Sequence, residues 1–191
     1  MSEVNFGSDG DYSENAFILK VNSNLANELG NLCQRTLSMV FKNCGKAIPT
    51  DIGEFTSDDL ALIKKAKALE ATCSGHVAEQ SIQKYAQTLI EMVWDANKYI
   101  DEMAPWVLRK TDPDRMATVL YVICEVLRRV GILYQPIIPT SANQLLDALS
   151  IPAEERTFAH LSDEYMVSKG AAIAKPQGIF PRLEVPELVE T

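Results

Sequence analysis

The sequence predicts an all-α protein: an antiparallel helix bundle with an extended C-terminal tail. Three observations carry that prediction. Apolar residues recur at spacings of three and four over long stretches, which is the period of one helix face. No stretch of any length alternates apolar and polar residues as a half-buried strand would. Glycine and proline are sparse in the middle of the chain, so the helices are long and the connections between them short. Long helices with short connections pack as antiparallel neighbours.

Residues 1–12, MSEVNFGSDGDY, are polar and turn-rich and read as a linker ahead of a domain over 13–160. Ser13 and Glu14 open a short helical segment that carries Phe17, Ile18 and Val21 inward, with a break or bend near Asn22–Asn24. The main helix runs from Asn24 through Val40 and places Val21, Leu25, Leu29, Leu32, Thr36 and Val40 on one face. Gly45 and Pro49 end it. Thr56 or Ser57 is the N-cap of the next helix, whose first turn holds Asp58 and Asp59. Leu60, Ile63, Ala66 and either Leu69 or Glu70 keep its spacing, and the Thr72–Gly75 region either continues or kinks it.

From Ser81, the residues Ile82, Tyr85, Leu89, Val93, Ala96 and Ile100 define a clear helix that Pro105 stops. Asp112-Pro113 is a cap followed by proline at the first helical position. Met116, Leu120, Ile123, Val126 or Leu127, and Val130 follow, to an end near Gly131. Ser141-Ala142-Asn143 starts a shorter helix carrying Leu145, Leu146 and Leu149, closed by Pro152. Residues 161–191 lose the period and read as an extended segment packed on the bundle, held at Ile179-Phe180.

A chain of 191 residues with 47% hydrophobic and 23% charged residues can bury one real core, as a soluble globular protein does. Its net charge of −8 argues against holding long phosphate backbones, DNA included, but leaves room for a small polar site that reads a few bases. Cys33, Cys44, Cys73 and Cys124 include no CxxC pair, and His76 and His160 stand alone, so no metal site is expected. Cys33 and Cys124 read as buried small hydrophobes, and four unpaired thiols without a signal peptide fit the cytoplasm. The longest apolar runs, around Val119–Ile123 and Val130–Ile138, are too short to span a bilayer.

Catalytic constellations are missing: there is no P-loop, no HExxH and no nucleophile elbow. The pairs Asp58-Asp59, Asp101-Glu102 and Glu154-Glu155 read as caps and solvated faces, so no residue of this chain is assigned a catalytic role. Two features remain. Asn27, Asn31 and Arg35, spaced by four, form a second row on the main helix. Such a row is ordinarily just solvated, yet two amides and a guanidinium fork also suit the edges of bases. Trp106, directly after Pro105 at a helix break, either plugs a helix–helix gap or projects a flat indole for an unpaired base. Trp94 lies inside a helix beside the apolar stripe and reads as core.

NLANELGNLCQR, ANKYIDEMAPW, ICEVLRRVGILYQPIIPTSANQLLDALSI and KPQGIFPRLE, in that order after FGSDGDYSENAF, resemble the helical anticodon-binding domain of bacterial methionyl-tRNA synthetases. The resemblance covers nearly the whole chain. It implies recognition of the CAU anticodon of tRNA(Met), with Trp106, preceded by Pro105, stacking on the first anticodon base. It also implies that Asn31 and Arg35, with Asn27 one turn earlier, hydrogen-bond anticodon bases. Lys98, Arg109 and Lys110 flank the tryptophan as a positive rim or as ordinary solubilising charge.

The catalytic nucleotide-binding fold, the HIGH-type and KMSKS-type motifs and the zinc-bearing insertion of that family are missing. The resemblance therefore implies either an excised piece of a larger class I ligase, with Met1-Ser2 added, or a free-standing domain; the excised piece is favoured, and either would be inactive alone. Its catalytic half would use ATP and Mg, with Zn in the insertion, to join methionine to tRNA. This chain would need no cofactor; its partners would be the anticodon loop and that catalytic half. Two alternatives stand beside this reading: the bundle of another class I synthetase, and a helical protein-interaction module without RNA binding.

Overall fold

The last long helix of the sequence is buried along most of its length, and the rest of the bundle forms around it. The computed structural model describes residues 13–184; the linker 1–12 and the end of the C-terminal segment, 185–191, lie outside the described residues. The chain forms α1 (Glu14–Val21), a π-helical stretch (Asn22–Gly30), α2 (Asn31–Asn43), α3 (Ser57–Ala78), α4 (Ile82–Met103), α5 (Pro105–Thr111), α6 (Pro113–Tyr134) and α7 (Pro139–Ala148). Three short 3₁₀ turns follow. Every residue of α6 from Thr118 to Tyr134 is buried. Its apolar residues spread round most of its circumference, so it has to be enclosed, and α2, α3, α4, α5 and α7 all pack on it.

Local chemistry sets the helix ends. Thr56 caps α3 in a full capping box with Asp59. Asp112 caps α6 by accepting the Arg115 N–H at 3.0 Å, with Pro113 in the first turn. Met103 ends α4, and Ala104 turns the chain in the left-handed region (φ 43°, ψ 58°) before Pro105 starts α5.

Several sequence expectations change. The chain does not break near Asn22–Asn24; it passes into π turns through Gly30, whose wider i→i+5 bonding keeps the helix going through a run of weak helix formers. Phe17 points outward at 54% exposure while Ile18 is buried. In α3 the Thr72–Gly75 region continues the helix, and Leu62 rather than Leu60 takes the buried position. Gly131 does not end α6. A Cβ there would lie 3.0 Å from Leu146 Cδ2, so this glycine lets α7 approach closely. The following helix starts at Pro139, ahead of Ser141. Trp94 is exposed, not core, because Val93, Ala96 and Ile100 occupy the buried face and it lies about 100° round from Val93.

α6 also buries charge. Glu125 accepts from Nε and NH2 of Arg128 at 2.8 Å each, from Arg129 Nε at 2.6 Å and from the Val167 N–H at 2.9 Å. The two arginines donate onward to the carbonyls of His160 and Leu161, and Arg129 reaches Asp163. These bonds, with buried Leu161, Val167 and Ile173 and the Ala47–Ala172 bridge, fasten the chain after α7 to the bundle. All four cysteines are free; burial raises every thiol, Cys73 to about 11, so none is poised as a nucleophile.

Candidate nucleic-acid interface

The amphipathic pattern of α2 buries Leu32, Thr36 and Val40, which leaves Asn31 and Arg35 on the opposite, open side. The turn at Ala104 sends α5 off with Pro105 buried and Trp106 42% exposed. Packing of these elements brings Arg35 and Trp106 together: the guanidinium carbon lies 5.1 Å from the centre of the indole ring. That is within cation–π range. Asp101, on the last turn of α4, accepts from the same guanidinium at 2.6 Å. One Arg35 amino group is thus anchored, and its other donors still face a half-open surface.

The predicted row divides into two. Asn27 sits in the π stretch, and its side-chain oxygen accepts from Arg182 at 2.7 and 3.2 Å. With that oxygen engaged, its amide donors are left to face the site. Asn27, Asn31, Gln34, Ile179, Phe180 and Arg182 line an open cleft of about 560 Å³. Phe180 packs against Gly30, and Asn22 exchanges two 2.8 Å hydrogen bonds with the Leu183 backbone, so the tail forms the far wall. Asn31 belongs to this cleft and lies one helical turn before Arg35, linking the amide side to the Trp106 side.

Sequence reasoning missed Asp101 as the partner of Arg35 and Arg182 as the partner of Asn27. Asp59 does cap α3, as read, but it is wholly buried rather than solvated: Tyr99, both terminal nitrogens of Arg115 and the Thr56 N–H donate to it. Burial works to raise its pKa, but the bonds from Arg115, Tyr99 and Thr56 and the charge of Arg115 outweigh burial and hold the carboxyl below its ordinary value. Burial, then Asp59, push the Tyr99 phenol up. No local signal marks any of these partners, apart from the S/T-x-x-D spacing of Thr56 and Asp59.

Neither histidine joins the site: His76 bonds Thr88, and His160 bonds Thr157 and packs edge-on against Tyr165. Among the described residues no group of three His, Cys, Asp or Glu side chains is placed to hold a metal ion, and no helix is long and apolar enough to cross a membrane.

Residues 48–190 match the family described as the anticodon binding domain of methionyl tRNA ligase. The chain belongs to that family. Relatives include a methionine–tRNA ligase of Mesorhizobium japonicum, 45% identical over 182 residues that make up 95% of this chain and 35% of the relative. Another, from Mycobacterium tuberculosis, is 41% identical over 98% of this chain and 36% of the relative. The crystal structure of the apo form of Mycobacterium tuberculosis methionyl-tRNA synthetase superimposes with a TM-score of 0.92 at 42% identity, covering 96% of this chain and 37% of that one. The chain therefore spans about a third of the length of the ligases it matches. Within this anticodon-binding domain, Pro105 and Trp106 fall inside the family match, while Asn27, Asn31 and Arg35 precede it and are covered by the alignments to whole relatives.

Proposed function

We propose that this domain identifies tRNA(Met) by its CAU anticodon for a methionine–tRNA ligase. Trp106 is the stacking platform for the first anticodon base. Arg35, Asn31 and Asn27 hydrogen-bond base edges, and Pro105 fixes the start of the helix that displays the indole. The observation that carries this reading is the meeting of an exposed indole with an Arg fork from a different helix, beside an amide-lined cleft. Unpaired RNA bases are recognised by stacking on aromatic and guanidinium planes together with donors to their edges. A base that stacks on the Arg35 side of the indole replaces one planar partner with another, while Asp101 keeps the guanidinium within reach of the base edge.

The reaction of such a ligase, ATP-dependent joining of methionine to tRNA, would take place in the remaining two thirds of its length. ATP, Mg and any Zn belong there, and this domain would supply choice and placement of the tRNA at that catalytic half. Few phosphate contacts are needed for so small a readout, which agrees with a net charge of −8. Arg109 and Lys110, exposed on α5, and Lys98 on α4 give the platform a local basic rim.

The test is titration of the protein with a CAU anticodon stem-loop and with a loop altered at its first base. Trp106→Ala is expected to cost about 1–3 kcal/mol of binding without loss of helicity. Arg35→Gln is expected to relax discrimination at one base more than it lowers general affinity, as base contacts do. Equal affinity of the parent and the Trp106→Ala chain for CAU would refute the stacking role. Equal loss for every loop on Arg35→Gln would make Arg35 a backbone contact.

A further inference from the structure

We propose that Arg115 is a positioning residue for Trp106: with Asp59 and Tyr99 it clasps both ends of the α4–α5–α6 elbow and sets where the indole face stands. The inference rests on the reading of Trp106 as the stacking platform. α5 has only seven residues and is joined to long helices at each end by single residues, Ala104 and Asp112. So short a helix has little stability of its own in water, and its direction depends on its packing against α6 and on how its joints are held.

Arg115 holds both joints. At the first, its NH2 group lies 3.4 Å from Sδ of Met103, the last residue of α4. At the second, its backbone N–H is capped by the Asp112 side chain at 3.0 Å. The guanidinium itself is locked by a two-pronged pair with Asp59 of α3, NH2 to Oδ1 at 2.8 Å and NH1 to Oδ2. Tyr99, in the last turns of α4, donates to Oδ1 of the same carboxylate, and the Thr56 N–H donates to Oδ2 at 2.9 Å. Each Asp59 oxygen thus accepts two hydrogen bonds, and the side chain is fully enclosed. A saturated two-pronged pair leaves the guanidinium little angular freedom. Three helices are therefore tied together within a turn or two of the elbow that carries Trp106.

Lysine at 115 would keep the charge but lose the fork. Tyr99→Phe removes one donor to Asp59 and keeps the ring in the core. Each substitution is made with Trp106 and again with Trp106→Ala, and affinity is measured for the CAU loop and for the loop altered at its first base. Melting temperature is followed in parallel, and indole emission is read in a Trp94→Phe background so that Trp106 alone reports.

With Trp106 present, Arg115→Lys is expected to weaken CAU binding by about three- to tenfold, with a smaller loss for the altered loop and a shift in indole emission. With Trp106→Ala in place, the same change is expected to alter affinity by less than about twofold. Tyr99→Phe gives the same pattern at smaller size and carries the test should Arg115→Lys unfold the chain. Equal losses in the two backgrounds, or unchanged affinity and emission in both, overturn the inference and leave the clasp a stability element. Unchanged affinity on Trp106→Ala alone overturns the stacking reading instead, and emission then decides whether the clasp positions the indole at all.

Discussion

Two arginine–carboxylate clusters of the same chemistry sit in this molecule in opposite surroundings. Inside α6, Glu125, Arg128 and Arg129 have side-chain exposures of 1%, 1% and 3%, and each is satisfied by neighbours or by backbone carbonyls. At the bundle end, Arg35 and Asp101 are exposed at 30% and 61%, share one short hydrogen bond and leave donors open beside an exposed indole. The buried set cannot exchange partners, because removing one partner strands a charge away from water. The open set can, because water competes for it at small cost. Saturation and burial, not residue type, separate the cluster that holds the fold from the exchangeable one beside Trp106.

The sharpest way to break this contrast is Glu125→Gln. It removes the anion shared by two buried guanidinium groups, leaving Arg128 with none and Arg129 with only Asp163, and is expected to cost about 3–5 kcal/mol in urea unfolding. A loss under about 1 kcal/mol would place this cluster with the exchangeable one. Next in size is the acid response of Asp59, which is fully enclosed although its partner Arg115 is 18% exposed. Its folded pKa is depressed, so its contribution to stability is fully present above the unfolded value of about 4 and is lost as pH falls through the folded value. Unfolding of the parent chain and of Asp59→Asn, compared from about pH 6 to about pH 2, is expected to show the parent's advantage shrinking below about pH 4. A constant difference across that range would mean that the carboxylate is not held by its partners. Smallest is Asp101→Asn at the open cluster, expected to change stability by at most about 1 kcal/mol. A larger loss would make Arg35–Asp101 a structural pair.

The long helices were legible because each runs for several turns and its core face repeats every three to four residues, whereas the seven-residue α5 was not read as a helix. Of the stripe Val21, Leu25, Leu29, Leu32, Thr36 and Val40, the last four are buried as the spacing indicates, while Val21 and Leu25 are only half-buried. Errors fell where that period is blind. Leu60 and Leu62 both suit a stripe, and only the direction of α4 and α6 decides which is covered. Trp94 is next to a buried valine in sequence but round the helix from it in space. Gly131 reads locally as a stop, and the leucines of α7 turn it into a packing site. The structure brings Arg35 and Trp106, both singled out in the sequence, together, yet nothing local indicates that Asp101 holds one side of Arg35 or that Arg182 occupies the Asn27 oxygen.

Periodicity, caps and prolines act over one or two turns, so the order of residues alone settled the all-α class, most helix starts and the faces that had to be buried. Contacts between residues far apart in sequence depend on how those faces pack, and packing is a collective result of volumes and angles that no local window contains. The tertiary structure therefore settled which charges are sealed and saturated, around Glu125 and Asp59. It also settled which stay open, at Arg35 beside Trp106, and how the tail closes the cleft over Asn27 and Asn31.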